Sequence, residues 1–147
     1  MTSTSPAPPP APEIRPARSV AELIAAEGLF DAPVRPAHAL DFLEREGHHL
    51  LLAYAGEEAV GFVSGVETAH PDKGAEMLLY ELGVAPAHRH RGIGRSLIEA
   101  LTRVARDRGC HGMWVGVETG NTAALAAYRS AGAVNEGRFA MLGWEFG

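Results

Sequence analysis

The sequence predicts a single α/β domain of the α+β kind: a mixed, mostly antiparallel sheet flanked by helices. Three observations predict it. Between residues 50 and 84, three strand-like runs follow one another with only short turns between them, which favours antiparallel pairing. A strongly amphipathic helical pattern follows at once, over residues 95–108. A further strand and a short helix then alternate before a β-rich end. The chain has 147 residues, enough for one domain with a sizeable core.

The elements follow in order. Residues 1–12, MTSTSPAPPPAP, are too poor in apolar surface to offset their ordering entropy, so a disordered tail is expected ahead of one domain at 13–147. Residues 13–16 read as a short first strand. Ser19 is placed to cap a helix, and Glu22 three residues on completes a capping box. Val20, Leu23, Ile24 and Glu27 continue at helical spacing until Gly28. A second helix is predicted over 36–46, with Leu40, Phe42 and Leu43 inward and Gly47 as terminator. Strands at 50–54 and 59–66 flank the turn Gly56-Glu57-Glu58, and HPDKG (70–74) turns into a third strand at 77–84. Alternation puts Met77, Leu79, Glu81 and Gly83 on one face of it.

In the helix at 95–108, Leu97, Ile98, Leu101, Val104 and Ala105 share a face. Glu99 and Arg103 are spaced i,i+4 on the other, and Gly109 is the expected C′ residue. A strand is predicted at 113–117. Asn121 opens a short helix with Ala124, Leu125, Tyr128 and Ala131 on one stripe and Gly132 at its end. Residues 134–146 read as two terminal strands around a bend near 135–137 or Gly143.

Bulk properties exclude several functions. A net charge of −5 gives no basic field for nucleic-acid phosphates. The single cysteine, Cys110, forms no disulfide framework and is expected to pack. The seven histidines show no metal-ligand spacing with carboxylates, so no metal is expected. No signal-peptide pattern or membrane-length apolar run is read, and a cytoplasmic protein with no membrane partner is expected. Trp114 and Trp144 are read as packing residues.

The informative stretch is RHRGIG at 89–94, between the strand at 77–84 and the amphipathic helix. A helix N-terminus presents unpaired backbone N–H groups, an anion site by construction. Gly92 and Gly94 let a ligand approach the backbone closely. Arg89, Arg91 and Arg95 add charge-assisted donors, and His88 and His90 flank the turn. A diphosphate suits this cradle. Nucleotide motifs do not: a P-loop needs Gly-Lys-Ser/Thr, the only lysine is Lys73, and a dinucleotide turn needs glycine where Leu97 stands. An ordinary glycine turn opening a helix remains the alternative.

LGVAPAHRHRGIGRSLI resembles motif A of the GNAT superfamily of acyl-CoA-dependent N-acetyltransferases, with Arg89, Gly92 and Gly94 at its Arg/Gln-x-x-Gly-x-Gly/Ala core and Leu82, Val84 and Pro86 in its lead-in. ETGNTAALAAYRSAGAV resembles motif B, through Asn121, Tyr128 and Gly132. The resemblance implies a GNAT-like sheet with splayed central strands. Acetyl-CoA is the implied co-substrate, its pantetheine between those strands and its pyrophosphate on the loop. Implied contacts are Leu82, Gly83, Val84, Arg89, His90, Arg91, Gly92, Ile93, Gly94, Arg95, Ser96, Asn121 and Tyr128. Relatives are often homodimers, and the terminal strands are where two copies would pair.

Acetyl transfer to an amine needs a base for the ammonium, donors for the thioester oxyanion and an acid for the departing thiolate. Glu81 is the expected base, because a carboxylate in an apolar strand breaks its pattern. Glu76, at the strand entrance, is the weaker candidate. Tyr128 is the expected acid by the motif-B resemblance. A backbone N–H near Leu82–Val84 would polarise the carbonyl.

The stretch EMLLYELGVAPAHRHRGIG is similar to the aminoglycoside 3-N-acetyltransferases, which carry an acid in the slot of Glu81 after an aromatic like Tyr80. That implies a small cationic amine as acceptor and a role in antibiotic resistance. The run GRFAMLGWEFG departs from the ending of that subgroup, so what carries over is the amine chemistry. A polycation would need carboxylates around the cleft, for which Asp72, Glu76, Glu81, Glu118, Glu136 and Glu145 are the candidates. A peptide or protein amine is the alternative acceptor, and a non-catalytic acyl-CoA-binding module the alternative class.

Overall fold

The computed structural model describes residues 11–147. The expected tail at 1–12 thus falls almost wholly outside the described residues, and Ala11 and Pro12 carry no regular structure. Five strands form one sheet in chain order: β1 (Glu13–Pro16), β2 (His48–Ala55), β3 (Glu58–His70), β4 (Gly74–Val84) and β5 (Met113–Trp114). The first four pair antiparallel, β2, β3 and β4 through short turns and β1 with β2 across the helical segment at 17–47, and β5 joins β4 in parallel. The sheet is therefore mixed and mostly antiparallel, as expected, with β3 and β4 longer than their apolar runs.

Helices cover both faces. On one face, α3 (Ile93–Asp107) lays Leu97, Ile98, Leu101 and Ala105 on Leu51, Val63, Met77 and Leu79, all buried. The approach is close enough to require glycine in β3: a Cβ on Gly65 would sit 2.8 Å from Met77 Sδ and 3.0 Å from Leu101 Cδ1. The other face carries α1 (Val20–Ala25), a 3₁₀ turn at Glu27–Leu29 and α2 (Pro36–Glu44), over Leu52, Tyr54 and Phe62. Phe30 meets Phe62 edge-on, with centroids 4.8 Å apart. The last helix, α4 (Thr122–Ser130), packs against α3.

Local signals mostly act as read, with shifts that have physical causes. Ser19 Oγ accepts from the Glu22 N–H at 3.2 Å, but the Glu22 carboxylate returns to the Arg18 N–H at 2.8 Å, one residue short of a reciprocal box. In α2 the buried residue is Ala39, Phe42 and Leu43 are partly buried as expected, and Leu40 is half exposed. In α3, Glu99 pairs with Arg95 at 2.9 Å rather than with Arg103. Gly109 and Gly132 end their helices at positive φ, as expected. Cys110 packs partly buried against the α3 core, and burial pushes its thiol pKa up.

Three expectations fail. The strand at 113–117 is paired only over Met113–Trp114. Residues 134–146 form no strand and are exposed throughout. Trp114 and Trp144, read as packing residues, are 46% and 79% exposed. The first failure shapes the functional site.

Candidate active site

Parallel pairing of β5 with β4 stops at Leu78↔Trp114, whereas β4 continues to Val84. Beyond that pair no ladder joins the two segments, which leaves a break in the sheet, a slot, along the free edge of the last half of β4. A strand edge there keeps backbone N–H and C=O groups free for an extended ligand. Leu82 and Val84 turn their side chains into the α3 core, so what they and Gly83 offer a ligand in the slot is backbone.

The slot leads to the N-terminus of α3. Pro86–His88 makes a 3₁₀ turn, after which His90 at φ 62° and Gly92 at φ 80° take left-handed conformations. Alternating hands of this kind aim successive N–H groups into one concavity, a nest for anions. Gly92 is the N-cap of α3, with no side-chain cap and no acidic residue in the first turn. The Ser96 N–H is satisfied by the Gly92 carbonyl at 3.0 Å. The N–H groups of Ile93, Gly94 and Arg95 are left as first-turn donors. A Cβ built on Gly92 meets nothing within 4 Å, so open space lies where a diphosphate is expected, and the residues present fit that group.

The arginines are not equivalent. Arg89 spends its Nε on the Val84 carbonyl at 3.2 Å, which ties the loop to the strand end. Arg95, expected as a phosphate donor, is drawn down the helix to Glu99. Arg91 and His90 stay exposed beside the nest. The Ile93 side chain is buried, so only its backbone faces the loop. Among the described residues, His88 Nδ1 is the one buried side-chain nitrogen or oxygen without a hydrogen-bond partner.

Glu81 is not on the face that alternation assigned. The ladder pairs Ser64 with Glu81 and Gly65 with Leu79, so Tyr80 is the extra residue of a bulge. Met77 and Leu79 face α3, and the bulge turns Glu81 and Gly83 to the opposite side. A Cβ on Gly83 would lie 2.7 Å from Phe62 Cε1 and 3.6 Å from the Leu29 carbonyl, which fixes that side as the one under the 3₁₀ turn that follows α1. The Glu81 N–H donates to Ser64 Oγ at 3.2 Å, and Ser64 is the one buried polar side chain among the described residues. Burial first, and the charge of Asp31 second, raise the Glu81 pKa.

Tyr128 lies on the other side. Its ring, on the α4 stripe with Leu125 and Ala131, is half-buried against the α3 core, and burial raises its hydroxyl pKa. Asn121 spends its side chain on its own helix, Oδ1 accepting from the Ala124 N–H at 3.1 Å. Glu76 pairs with His111 at 3.9 Å near the far end of β4. Asp72 lies in the turn beyond it, and Glu136 and Glu145 lie in the exposed end segment. Glu76 and Asp72 are thus at the other end of β4 from Glu81, and the carboxylate that acts on Glu81 is Asp31. Sequence reasoning missed Ser64 and Asp31; the glycine-flanked GFVSG of β3 was the available signal for Ser64.

Residues 17–133 match the acetyltransferase (GNAT) family. The chain is 35% identical over 116 residues to the N-alpha-acetyltransferase RimI of Mycobacterium tuberculosis, covering 79% of this chain and 71% of that one. The chain spans 45% to 71% of the length of the first curated relatives it matches. Among solved structures, an aminoglycoside acetyltransferase from an uncultured soil metagenomic sample, in complex with sisomicin, superposes with a TM-score of 0.84 at 17% identity, covering 92% of this chain and 96% of that one. The aminoglycoside N-acetyltransferase AAC(6')-Iy in complex with CoA does so with a TM-score of 0.80 at 22% identity, covering 91% and 100%. At these identities the structural likeness shows the fold.

Proposed function

The chain belongs to the acetyltransferase (GNAT) family, and from that premise we propose that it moves an acetyl group from acetyl-CoA to a primary amine by direct transfer. One observation carries the reading: the slot along the free edge of β4 opens at one end onto the uncapped, nest-forming N-terminus of α3. An extended chain ending in a diphosphate is the shape such a site takes. Pantetheine amides pair with the free edge of β4, and the phosphates take the first-turn N–H groups with Arg91 and His90 beside them.

The two acid–base groups stand on opposite faces of the sheet, and the slot joins those faces. The amine arrives on the α1 and α2 side, where Glu81, aided by its raised pKa, takes the ammonium proton directly or through water. The free amine attacks the thioester carbon. The developing oxyanion is met by a backbone N–H in the slot at Leu82–Val84. As the C–S bond breaks, Tyr128 gives its proton to the thiolate. Its raised pKa keeps that proton in place until then. The second proton that the attacking nitrogen loses on becoming an amide restores the Tyr128 hydroxyl, directly or through water, while Glu81 releases its own to solvent. The products are the acetylated amine and free CoA.

The measurement that tests this is thiol release from acetyl-CoA across aminoglycosides, simple amines, amino acids and peptides. Turnover with at least one amine class and saturable acetyl-CoA binding support it. Binding without turnover on any amine makes the protein an acyl-CoA-binding module instead. Aminoglycosides belong in the panel through the sequence similarity around Glu81, and peptides through the alternative acceptor.

A further inference from the structure

The bulge in β4 lies between two fixed points. On one side of it, Leu79 is 2% exposed and pairs with Gly65, where Met77 and Leu101 leave no room for a Cβ. On the other side, Leu82 packs against the α3 core and pairs with Val63, which is fully buried. Both pairs face α3, so a slip of one residue at either would turn apolar side chains out of the core. Between the two pairs β4 has two residues, Tyr80 and Glu81, whereas β3 has only Ser64. One of the two is seated opposite Ser64 and the other is extra. Core packing pins the ends of the bulge, and it does not decide which of the two takes the seat.

Ser64 supplies the group that decides. Its side chain is buried, and a buried hydroxyl is hydrogen-bonded. On the β2 side its ladder partner is Leu50, whose side chain offers no hydrogen bond. On the β4 side its Oγ accepts from the Glu81 N–H at 3.2 Å. Tyr80, the extra residue, is 67% exposed. The bond is made to the backbone, so it fixes the point from which the carboxylate projects and leaves the carboxylate itself free. With Tyr80 in the seat, Glu81 would stand away from it by a large part of one strand step, on the order of 3 Å. A displacement of about 1 Å already costs a reacting group much of its rate.

We propose that Ser64 is a positioning residue: by holding the Glu81 N–H, its hydroxyl seats Glu81 rather than Tyr80 in the ladder and so sets where the base stands. This rests on the reading of Glu81 as base.

The test uses the full chain with Ser64→Ala, which removes the hydroxyl and keeps the Cβ. Amide hydrogen exchange, followed by NMR without substrate, is expected to show the Glu81 N–H exchanging about fivefold faster than in wild type, the factor conferred by one ordinary hydrogen bond. The N–H groups of Leu79 and Leu82 should be unchanged. In thiol release, kcat is expected to fall by the same factor of about five, with acetyl-CoA affinity as in wild type. In the Glu81→Gln background, which keeps the N–H and lacks the base, Ser64→Ala is expected to cost nothing further. An unchanged Glu81 amide, an unchanged kcat, or an equal loss of kcat in both backgrounds overturns the inference. Wild-type turnover in Glu81→Gln refutes the base reading and takes this inference with it. Faster exchange at Glu81 with no turnover on any amine upholds the seating and refutes the transfer reading instead.

Discussion

Replacing Glu81 by glutamine separates its two effects, because they have opposite signs. The amide keeps the size of the side chain, and the backbone bond to Ser64 Oγ at 3.2 Å is untouched. For catalysis, the base is lost. General-base assistance is worth about 10²–10⁴ in rate, and Glu81 is exposed enough for water to relay protons in its place, so a fall of about 10² in kcat is expected. For stability, the raised pKa means that the ionised carboxylate is less comfortable folded than unfolded. Below the unfolded value of about 4.3 the group is protonated in both states and costs nothing. As pH rises through the folded value, the penalty appears in full. Wild type and Glu81→Gln should therefore melt together near pH 4, and the variant should melt slightly higher at pH 7. The assay is a kcat/KM profile over pH 5.5–9.5 with acetyl-CoA titrations and melting curves on both proteins. Wild-type turnover across that range refutes Glu81 as base. Loss of acetyl-CoA affinity in step with turnover refutes the separation of the two sites across the sheet.

Other residues give equally direct checks. Gly92→Val forces a branched side chain to φ 80°, at about 1–2 kcal/mol of stability, and puts bulk in the nest. Acetyl-CoA affinity should fall at least tenfold by calorimetry, with Gly92→Ala in between. Tyr128→Phe keeps the half-buried ring and should hold acetyl-CoA affinity while kcat falls about 10²-fold, the low end for a general acid; an unchanged kcat removes Tyr128 from the mechanism. Glu67 is raised by burial but more strongly lowered by His49 at 2.8 Å and by Arg108, a net depression. Its stabilisation is present above the unfolded pKa and lost as pH falls through the folded one. Glu67→Gln should thus cost about 1–3 kcal/mol at pH 7, and chemical denaturation should show that difference vanishing toward acid pH.

What the sequence made legible is local. Ser19, Gly109, Asn121 and Gly132 mark helix ends because a cap is a contact between residues at most a few apart. The α3 stripe is read correctly because its period is set within the helix itself. RHRGIG works the same way: the nest lies in six consecutive residues, and their glycines declare it. The face of Glu81 was not legible. Alternation along β4 is an accurate rule until the partner strand contributes one residue fewer, and Tyr80 becomes extra only in relation to Ser64 and Gly65. That relation spans about fifteen positions of sequence and leaves no mark on β4 itself. Asp31 was hidden for the same reason, since its effect on Glu81 crosses from a loop to the far strand of a hairpin pair.

The segment at 134–146 separates propensity from structure. Val134, Phe139, Met141, Leu142, Trp144 and Phe146 are the residue types that strands favour, yet all six are between 78% and 95% exposed and none is paired. A helix satisfies its own backbone, whereas a strand exists only where a neighbour offers a free edge. Here the neighbouring edge belongs to β5, and β5 is two residues long. The break in which we propose that an extended ligand binds also leaves too little ordered edge for a terminal strand to read. A β-rich composition after so short an edge strand is therefore a weak predictor of sheet.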